Sequence, residues 1–481
     1  MRGFGSSPRG WGPLHRGWGA LPQLRSRSLR HYKLRAAAIP CWQYSSGAHF
    51  MRLNTMRTLD RWLGIPLCFL SSCLLRIFAL WRRGRAVVAS PRRVLFLELS
   101  EMGSTVIAQP AMRQVRDNLH AELYFAIFAR NVESLRLLQM VPENHLFLIR
   151  DDHFLALAID SVRFLLWTRR QRIDTVLDLE LFSRYSALLC GLSGAQTRVG
   201  FHRFHAEGLY RGSMLTHPVS YNGHIHMAKN FLAMVYALSA PAGEYPFAKT
   251  IVADEAIRVT PAVIDDADRL AAQALVRQVF PHYRPSVHRI VLLNPNSSEM
   301  LPQRRWPSDH FLELAKRMVA EWPDVLVAFT GSSAEREDSL QLERQAEHPR
   351  IRSLAGMHAL RMLLPLYAIS HVLVTNDSGP AHFSALTSIR SIVLFGPETP
   401  TLYGSLGNTE SLTLGLACSP CVSAANQKHS ACTDAVCMRT MSPWHVLAAV
   451  RRVLDAPSGT AFPFAAIPGA ATAQEEWMTL P

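Results

Sequence analysis

Residues 371–397 read HVLVTNDSGPAHFSALTSIRSIVLFGP, and this stretch decides the fold. Its first part, residues 371–375, is a short apolar run typical of a strand that is buried on both faces. A polar turn then leads into a predicted helix at residues 380–386, with Pro380 where a missing N–H does no harm. A second apolar run follows at residues 391–395. A strand, a helix and a second strand in this order predict a parallel α/β unit.

The same alternation extends over most of the chain. It begins with an apolar run at residues 93–99, is interrupted by a proline-containing segment at residues 241–289, and restarts at residue 289. We therefore predict an α/β fold of two doubly wound, Rossmann-like domains facing a central cleft, with an N-terminal acceptor domain at residues 91–260 and a C-terminal domain at residues 285–455. Neither domain has a Gly-x-Gly-x-x-Gly turn after its first strand or a P-loop, which argues against a dehydrogenase or a P-loop NTPase.

The basic charge of the chain is confined to its start. The net charge is +14, of which residues 1–50 carry +8 and residues 51–90 carry +6, so the remainder is neutral. Because a nucleic-acid enzyme spreads basic charge over its folded surface, we predict no nucleic-acid partner. We interpret residues 1–56 as a basic, disordered extension or a misassigned start, although their composition also resembles a transit peptide. Residues 456–481 are interpreted as a tail.

Residues 57–90 form a hydrophobic segment. Residues 62–75 are uncharged, Arg76 interrupts the run, and a cluster of arginines follows it. The run is shorter than a clean membrane span, so we predict an amphipathic segment on the cytoplasmic leaflet of the membrane. A single transmembrane helix and a buried helix of the first domain remain alternatives.

Three polar loops follow predicted strands of the C-terminal domain. They are residues 294–298 with Arg304 nearby, residues 330–335, and residues 376–379. Because the carboxyl ends of parallel strands meet at one edge of a sheet, the loops are expected to converge. Small residues with free N–H groups and a guanidinium suit a diphosphate. Each loop alone could equally be a helix cap or a solvated surface loop.

Several motifs together resemble glycosyltransferase family 9, typified by the ADP-heptose:lipopolysaccharide heptosyltransferases. In the C-terminal half they are NDSGPAH (376–382), IVLFGP (392–397), NPN (294–296), RRWP (304–307), TGSSAE (330–335) and LAGMHAL (354–360). In the N-terminal half they are RVLFLELSEMGSTVIAQPAM (93–112) and LLCGLSGAQTRVGF (188–201). The resemblance covers about residues 92–455.

The resemblance implies a GT-B fold and a metal-independent, inverting transfer that requires no cofactor for catalysis. The donor would be a nucleotide-diphosphate sugar, with ADP-heptose as the first candidate. The acceptor would be a lipopolysaccharide-type or other lipid-linked glycan on the inner face of the cytoplasmic membrane, where the protein would be peripheral. Matched by motif, the donor-binding residues would be Ser297, Ser298, Arg304, Glu335, Met357, Asp377, Ser378, Gly379 and His382.

One departure from the family pattern concerns the catalytic base. The family's first glycine turn usually carries an aspartate after the glycine, whereas here Gly103 is followed by Ser104. A serine cannot act as that base unaided, so we predict that Glu101 or Glu98 replaces it on the acceptor side. The alternative function is a catalytically inactive GT-B scaffold of envelope glycan assembly.

Two further patterns suggest metal ligands. Asp266 and Asp268 resemble the Asp-x-Asp of other glycosyltransferases, but they follow no strand, so we interpret them as a solvated helix face. Four cysteines cluster in the C-terminal half and could form a structural zinc site or an iron–sulfur site, with two disulfides as the third interpretation. These are Cys418, Cys421, Cys432 and Cys437.

Overall fold

The computed structural model describes residues 58, 60–81, 90–205, 208–241, 244–298, 301–426 and 428–456. The predicted extension at residues 1–56 and all but the first residue of the predicted tail lie outside the described residues.

The N-terminal half contains a six-stranded parallel sheet with the order β3-β2-β1-β4-β5-β6. Its strands are β1 (Arg93–Leu97), β2 (Glu122–Phe128), β3 (Leu146–Ile149), β4 (Thr175–Asp178), β5 (Thr197–Phe201) and β6 (His217–Val219). Its helices are α1 (Gly64–Trp81), α2 (Met102–Asp117), α3 (Val132–Leu138), α4 (Phe154–Arg170), α5 (Arg184–Leu192) and α6 (Met227–Tyr236). The central strands β1 and β4 are buried almost throughout, as continuous apolar runs require in a sheet covered on both faces.

The C-terminal half repeats this architecture with the order β12-β11-β10-β7-β8-β9. Its strands are β7 (Arg289–Asn294), β8 (Val325–Phe329), β9 (Ile351–Ser353), β10 (Val372–Asn376), β11 (Arg390–Leu394) and β12 (Thr409–Leu412). Helix α7 (Asp266–Val279) precedes the first strand of this sheet. The helices that follow are α8 (Ser308–Glu321), α9 (Arg336–Ala346), α10 (Leu363–Ala368), α11 (Gly379–Ser384), α12 (Pro400–Tyr403), α13 (Val436–Arg439) and α14 (Pro443–Leu454). In each sheet the topology reverses beside the first strand, which opens a crevice at the carboxyl ends.

The two halves pack directly against each other. One apolar cluster includes Val106 of α2 together with Ala381 and Phe383 of α11. The connecting segment is tied to both halves: the side chain of Gln109 exchanges hydrogen bonds with the backbone of Thr260 at 2.6 and 3.0 Å, and Ala262 N donates to Leu386 O at 2.8 Å. The carboxyl ends of the two sheets are thereby held close together.

Helix α1 packs on the N-terminal half through small residues. A Cβ on Gly64 would lie 2.9 Å from the Arg184 side chain, and Cys68 and Ser72 are buried. The large apolar side chains of the helix point the other way and are exposed, including Phe69, at 58%. By length and composition, the stretch Asp60–Phe78 could cross a membrane. Only 22% of this apolar stretch is buried inside the protein. The interpretation as a buried helix is therefore wrong.

The structure adds elements that the sequence patterns did not predict. Strands β5, β6 and β12, helix α6 and all helices after β11 were missed. β6 contains only three residues, and β12 has two half-buried positions, so neither shows a clear apolar run. Asp266 starts helix α7, and Asp265 with Asp268 forms a capping box there.

Candidate active site

The three polar loops of the C-terminal half converge, and Asn376 connects two of them. Its Nδ2 donates to Pro295 O at 2.9 Å, and its Oδ1 accepts from Trp306 N at 3.0 Å. The third loop joins the first through Asn296 Nδ2, which donates to Thr330 O at 3.2 Å. Asn376 ends β10, so its side chain reaches the neighbouring strand end. It therefore organises the site although the sequence analysis gave it no role.

Arg304 lies at the centre of this convergence. Its side chain is 3.4 Å from the Asp377 carboxylate and 3.1 Å from that of Glu398. Burial lowers the pKa of Arg304, but the charges of Asp377 and Glu398 outweigh burial and raise it. Arg304 is therefore a buried cation held between two carboxylates.

The buried environment of Asp377 and Glu398 disfavours the charged form of both carboxyl groups. Burial raises the pKa of Glu398 to about 7, although Lys428 and Arg304 act to lower it. Burial likewise raises the pKa of Asp377 against the effect of Arg304. Two acids are removed from water beside a single guanidinium, so the positive charge of that guanidinium does not fully compensate their negative charge.

Unpartnered polar atoms mark the same place. Among the described residues, Ser297 Oγ and Glu398 Oε2 are buried without a hydrogen-bond partner, and Arg304 Nε and Asp377 Oδ2 have only their mutual ion pair at 3.4 Å. Such atoms are rare in native structures and call for a partner. A diphosphate could accept from Ser297 and Arg304, whereas Asp377 and Glu398 could accept from sugar hydroxyls.

The turn before α11 is not an ordinary helix cap. Ser378 makes no side-chain capping hydrogen bond and instead donates from Oγ to Asn376 O at 3.1 Å. Asp377 faces Arg304 rather than the helix. Gly379 is half-buried at the first position of the helix. The interpretation of Asp377 and Ser378 as helix caps is therefore wrong.

The remaining predicted donor residues lie at the edge of this cluster. Glu335 is half-buried and accepts hydrogen bonds from Ser332 N at 2.6 Å and Ser332 Oγ at 2.8 Å in a capping box. Met357 is also half-buried and follows Gly356, whose N donates to Gly331 O at 3.0 Å. Ser298 is exposed. The structure thus brings Glu335 and Met357 to neighbouring loops, with the Glu335 carboxylate engaged in capping.

His382 lies where the two halves meet, against Gly103 of α2. A Cβ on Gly103 would lie 2.5 Å from His382 Cδ2, so α2 and α11 meet with no room for a side chain. Burial lowers the pKa of His382 to about 4, which leaves the imidazole neutral at pH 7. Glycine at position 103 therefore allows the donor-side histidine to contact the N-terminal half.

Glu101 faces the same cleft from the N-terminal half. Its Oε1 accepts from Lys428 Nζ at 2.7 Å, and its Oε2 lies 3.4 Å from Ser104 Oγ. Burial raises the pKa of Glu101, but Lys428 and Arg304 outweigh burial and bring it to about 2. Glu101 is therefore ionised at neutral pH, and it lies beside Ser104.

Glu98 lies deeper in the N-terminal half. Only 4% of the residue is exposed, and burial, followed by the charges of Glu180 and Glu101, raises its pKa well above the usual range. The Glu180 carboxylate accepts hydrogen bonds from the backbone N–H groups of Leu99 and Ser100, at 2.7 and 2.9 Å. The pKa values of these two neighbouring carboxyl groups are thus shifted in opposite directions, and Glu101, which approaches Ser104, is the candidate for the base.

Sequence reasoning missed several charged residues of the site. Lys428 comes from a loop after β12 and lies 4.5 Å from the Tyr403 ring centroid. Glu398 follows the motif at residues 392–397 by one position, which was the only available signal for it. No pattern around Lys428 distinguishes it from a surface lysine.

Glu98, Glu101 and Ser104 line one cavity of about 450 Å³ together with Lys428 and Tyr403. Its other wall is apolar and is formed by residues of α1, α4 and α5. The predicted acceptor-side residues thus open into a real cavity beside the donor-side cluster.

The predicted metal site is not supported. Cys418, Cys421, Cys432 and Cys437 are all free thiols. Within the described part of the chain, no group of three or more His, Cys, Asp or Glu side chains is placed to hold a metal ion. Two of the thiols have other partners: Cys421 Sγ is 3.2 Å from Ser430 Oγ, and Cys432 Sγ donates to Asp434 Oδ1 at 3.3 Å. Disulfides are likewise absent among these four residues.

Comparison with protein families finds one matching family. The model described as glycosyltransferase family 9 (heptosyltransferase) matches residues 167–431, which is more than half of the chain. A lipooligosaccharide heptosyltransferase 2 of Campylobacter jejuni is 27% identical over 170 residues, covering 34% of this chain and 51% of that protein. The match thus spans only about half the length of this curated relative.

Solved structures share the fold over a larger part of the chain. The ADP-heptose lipopolysaccharide heptosyltransferase II of E. coli is similar with a TM-score of 0.56 and 19% identity, covering 75% of this chain and 98% of that chain. An E. coli heptosyltransferase solved with ADP has a TM-score of 0.52 and 14% identity, covering 75% and 99%. The expected GT-B fold is confirmed by these neighbours.

Proposed function

The chain belongs to glycosyltransferase family 9, and we propose that it transfers a sugar from a nucleotide-diphosphate sugar to a lipid-linked glycan acceptor. Heptose from ADP-heptose is the first candidate donor, and a lipopolysaccharide-type glycan is the first candidate acceptor. The observation that carries the proposal is the ionised Glu101 carboxylate, which lines a cavity beside the buried Arg304 cluster. The two halves of the cleft would then bind the two substrates.

The donor would bind at the C-terminal half, residues 285–455. Its diphosphate would accept from Arg304 and Ser297 and displace the carboxylates that now face Arg304. Asp377 and Glu398 would then turn towards donor hydroxyls, and the neutral His382 would lie beside the sugar. Met357 and Glu335 would lie near the base and ribose.

The transfer itself would be inverting and would use no metal ion. The acceptor oxygen forms a bond to the anomeric carbon from the face opposite the diphosphate, and the bond between that carbon and the diphosphate oxygen breaks. The nucleoside diphosphate leaves with the electron pair, stabilised by Arg304. The proton of the acceptor hydroxyl passes to Glu101, with Ser104 orienting the carboxylate.

The acceptor would bind at the N-terminal half, residues 91–260, on the inner face of the cytoplasmic membrane. The exposed apolar side chains of α1 support a peripheral position, because such a face is costly in water and favourable at a lipid interface. Asp60, just before α1, pairs with Arg184 at 2.9 Å, which ties the helix to the folded domain.

If the protein were an inactive scaffold, we would expect no carboxylate in the cleft that could act as the catalytic base. Glu101 lines the cavity and approaches Ser104, so the loss of the family's aspartate is matched by a neighbouring acid. This arrangement favours an enzyme over a scaffold.

The test is a calorimetric titration of the full chain with ADP, UDP, GDP and inorganic phosphate. We expect selective binding of ADP. Arg304→Ala should weaken it roughly ten- to hundredfold, because a hydrogen bond to a charged group contributes about 1.5–3 kcal/mol. Arg304→Lys, which keeps the charge, should bind ADP with intermediate affinity.

The control variant is Arg317→Ala on α8, since Arg317 pairs with Glu313 outside the cleft. It should bind ADP like the unchanged chain. Selective binding of UDP or GDP would keep the class of enzyme but remove ADP-heptose as donor. No binding of any nucleoside diphosphate by the folded chain would refute the donor site.

A further inference from the structure

The cavity beside Glu101 has an apolar open end. Leu67 of α1 and Phe154 of α4 line it and are 47% and 55% exposed, whereas Glu98 and Tyr403 line its buried end. Leu157 and Leu188 complete the apolar wall between them. One continuous space therefore leads from the proposed catalytic carboxylate to an apolar opening on the surface.

The charges that line the cavity do not suit an anionic ligand. Four acids and two bases line it: Asp60, Glu98, Glu101, Glu180, Arg130 and Lys428. Both bases already have acidic partners, since Lys428 pairs with Glu101 at 2.7 Å and Arg130 pairs with Asp151 at 3.1 Å. Neither of these two bases is therefore free to pair with a ligand that carries several negative charges.

The surface around the opening is also apolar. Helix α1 exposes Phe69, Leu70 and Leu74, and α4 exposes Leu155 and Val162, each more than half exposed. Contiguous apolar faces of this kind mark contact with lipid or with another apolar partner. The same two helices supply the cavity wall, so the cavity opens between the apolar faces.

We propose that this cavity holds the apolar chain of the lipid that carries the acceptor, so that the accepting hydroxyl lies close to the lipid attachment. The proposal rests on the proposed function, since it places the acceptor hydroxyl at Glu101. It narrows the acceptor to a lipid-linked glycan whose accepting sugar is joined directly to an apolar chain, in place of the lipopolysaccharide-type glycan named above as the first candidate. A long anionic oligosaccharide would fill neither the apolar wall nor the acidic end.

The probes are neutral alkyl β-glucosides with butyl, hexyl and octyl chains, each used below the concentration at which it forms micelles. They are titrated calorimetrically into the full chain saturated with ADP. From butyl to octyl we expect a gain in affinity of about tenfold to 250-fold, because each of the four added methylenes strengthens binding about fourfold when it is fully buried and less when it is partly buried.

Two matched pairs of variants locate the binding. Ala158 lines the cavity and is exposed, so Ala158→Trp should fill the cavity and remove the gain with chain length. Val162 lies on the same helix outside the cavity lining, so Val162→Trp should keep the gain. On α1, Leu67→Arg should weaken octyl glucoside binding, whereas Leu74→Arg, outside the lining, should not. ADP affinity should stay unchanged in all four variants.

The outcomes separate this proposal from the proposed function. Equal affinities for butyl and octyl glucoside, or equal losses within each matched pair, would overturn the proposal and indicate general adsorption to the apolar faces. Chain-length-dependent binding that only Ala158→Trp and Leu67→Arg remove would support it. If the unchanged chain bound octyl glucoside in this manner but bound no ADP, the lipid cavity would stand and the sugar transfer would fail.

Discussion

The two walls of the cleft differ in how they hold charge. On the C-terminal wall, Arg304 is shared by Asp377 and Glu398, and several of these polar atoms lack hydrogen-bond partners. On the N-terminal wall, Glu101 is paired with Lys428 and borders an apolar space. The first wall holds a guanidinium between two carboxylates, whereas the second wall pairs one carboxylate with one ammonium group beside an apolar space. The difference indicates that the walls bind chemically different substrates.

The largest expected effect comes from Glu101→Gln. Loss of a catalytic base lowers turnover by about 10²- to 10⁴-fold, while ADP affinity should change little because the donor wall is intact. Turnover is measured as release of nucleoside diphosphate in the presence of acceptor, alongside calorimetric ADP affinity. Ser104→Ala is the control and should reduce turnover only modestly, since the serine makes one long contact of 3.4 Å with the carboxylate. Unchanged turnover in Glu101→Gln would contradict the assignment of the base.

A smaller effect is expected where the walls touch. Gly103→Ala places a Cβ 2.5 Å from His382 Cδ2, and such overpacking costs about 1–3 kcal/mol. Because the strain falls on the contact between α2 and α11, turnover should drop roughly tenfold while ADP affinity remains. Gly223→Ala is the control, because its added Cβ would meet only Tyr221 at 3.7 Å. A parallel loss of ADP affinity in Gly103→Ala would show that the two walls do not act separately.

The smallest effect concerns pH on the donor wall. Glu398 has a pKa of about 7, so it loses its negative charge as the pH falls from 8 to 6. The repulsion of a diphosphate near Arg304 then decreases, and affinity should rise. If donor binding raises this pKa by about one unit, affinity gains up to about tenfold at low pH.

The probe for the pH effect is ADP-ribose, whose diphosphate is esterified at both ends and does not itself titrate between pH 6 and 8. Glu398→Gln should bind it with the low-pH affinity at every pH in this range. Glu410→Gln is the control, since Glu410 lies on β12 and pairs with Arg452. Affinity that falls as the pH is lowered would exclude this role of Glu398.

Parts of the site could be predicted because the local sequence carries them. The buried strand before Asp377, the proline at the start of α11 and the glycine turn identify a strand–turn–helix unit without any distant contact. The motif at residues 304–307 placed Arg304 beside it by resemblance. Lys428 and Glu398 could not be assigned in this way, because their roles depend on partners far away in the chain.

The cysteine cluster is the reverse case, in which the sequence suggested a site that the structure does not support. The spacing of the four cysteines suggested a metal site, but spacing alone does not aim four thiols at one point. In the folded loop Cys421 and Cys432 face a serine and an aspartate instead. Within the described residues no group of three or more His, Cys, Asp or Glu side chains is placed to hold a metal ion, so the predicted metal site stays without support.

The sequence by itself determined the α/β class, the two sheets and the edge at which the donor loops meet, because apolar periodicity and strand-end motifs are local properties. Tertiary structure alone decided in which direction the pKa of each of two neighbouring carboxyl groups is shifted. Glu98 and Glu101 are three residues apart, yet burial raises the pKa of Glu98, whereas Lys428, from the other half of the molecule, brings that of Glu101 to about 2. The physical reason is that electrostatic free energies depend on distances through space and on access to water, which residue order does not specify.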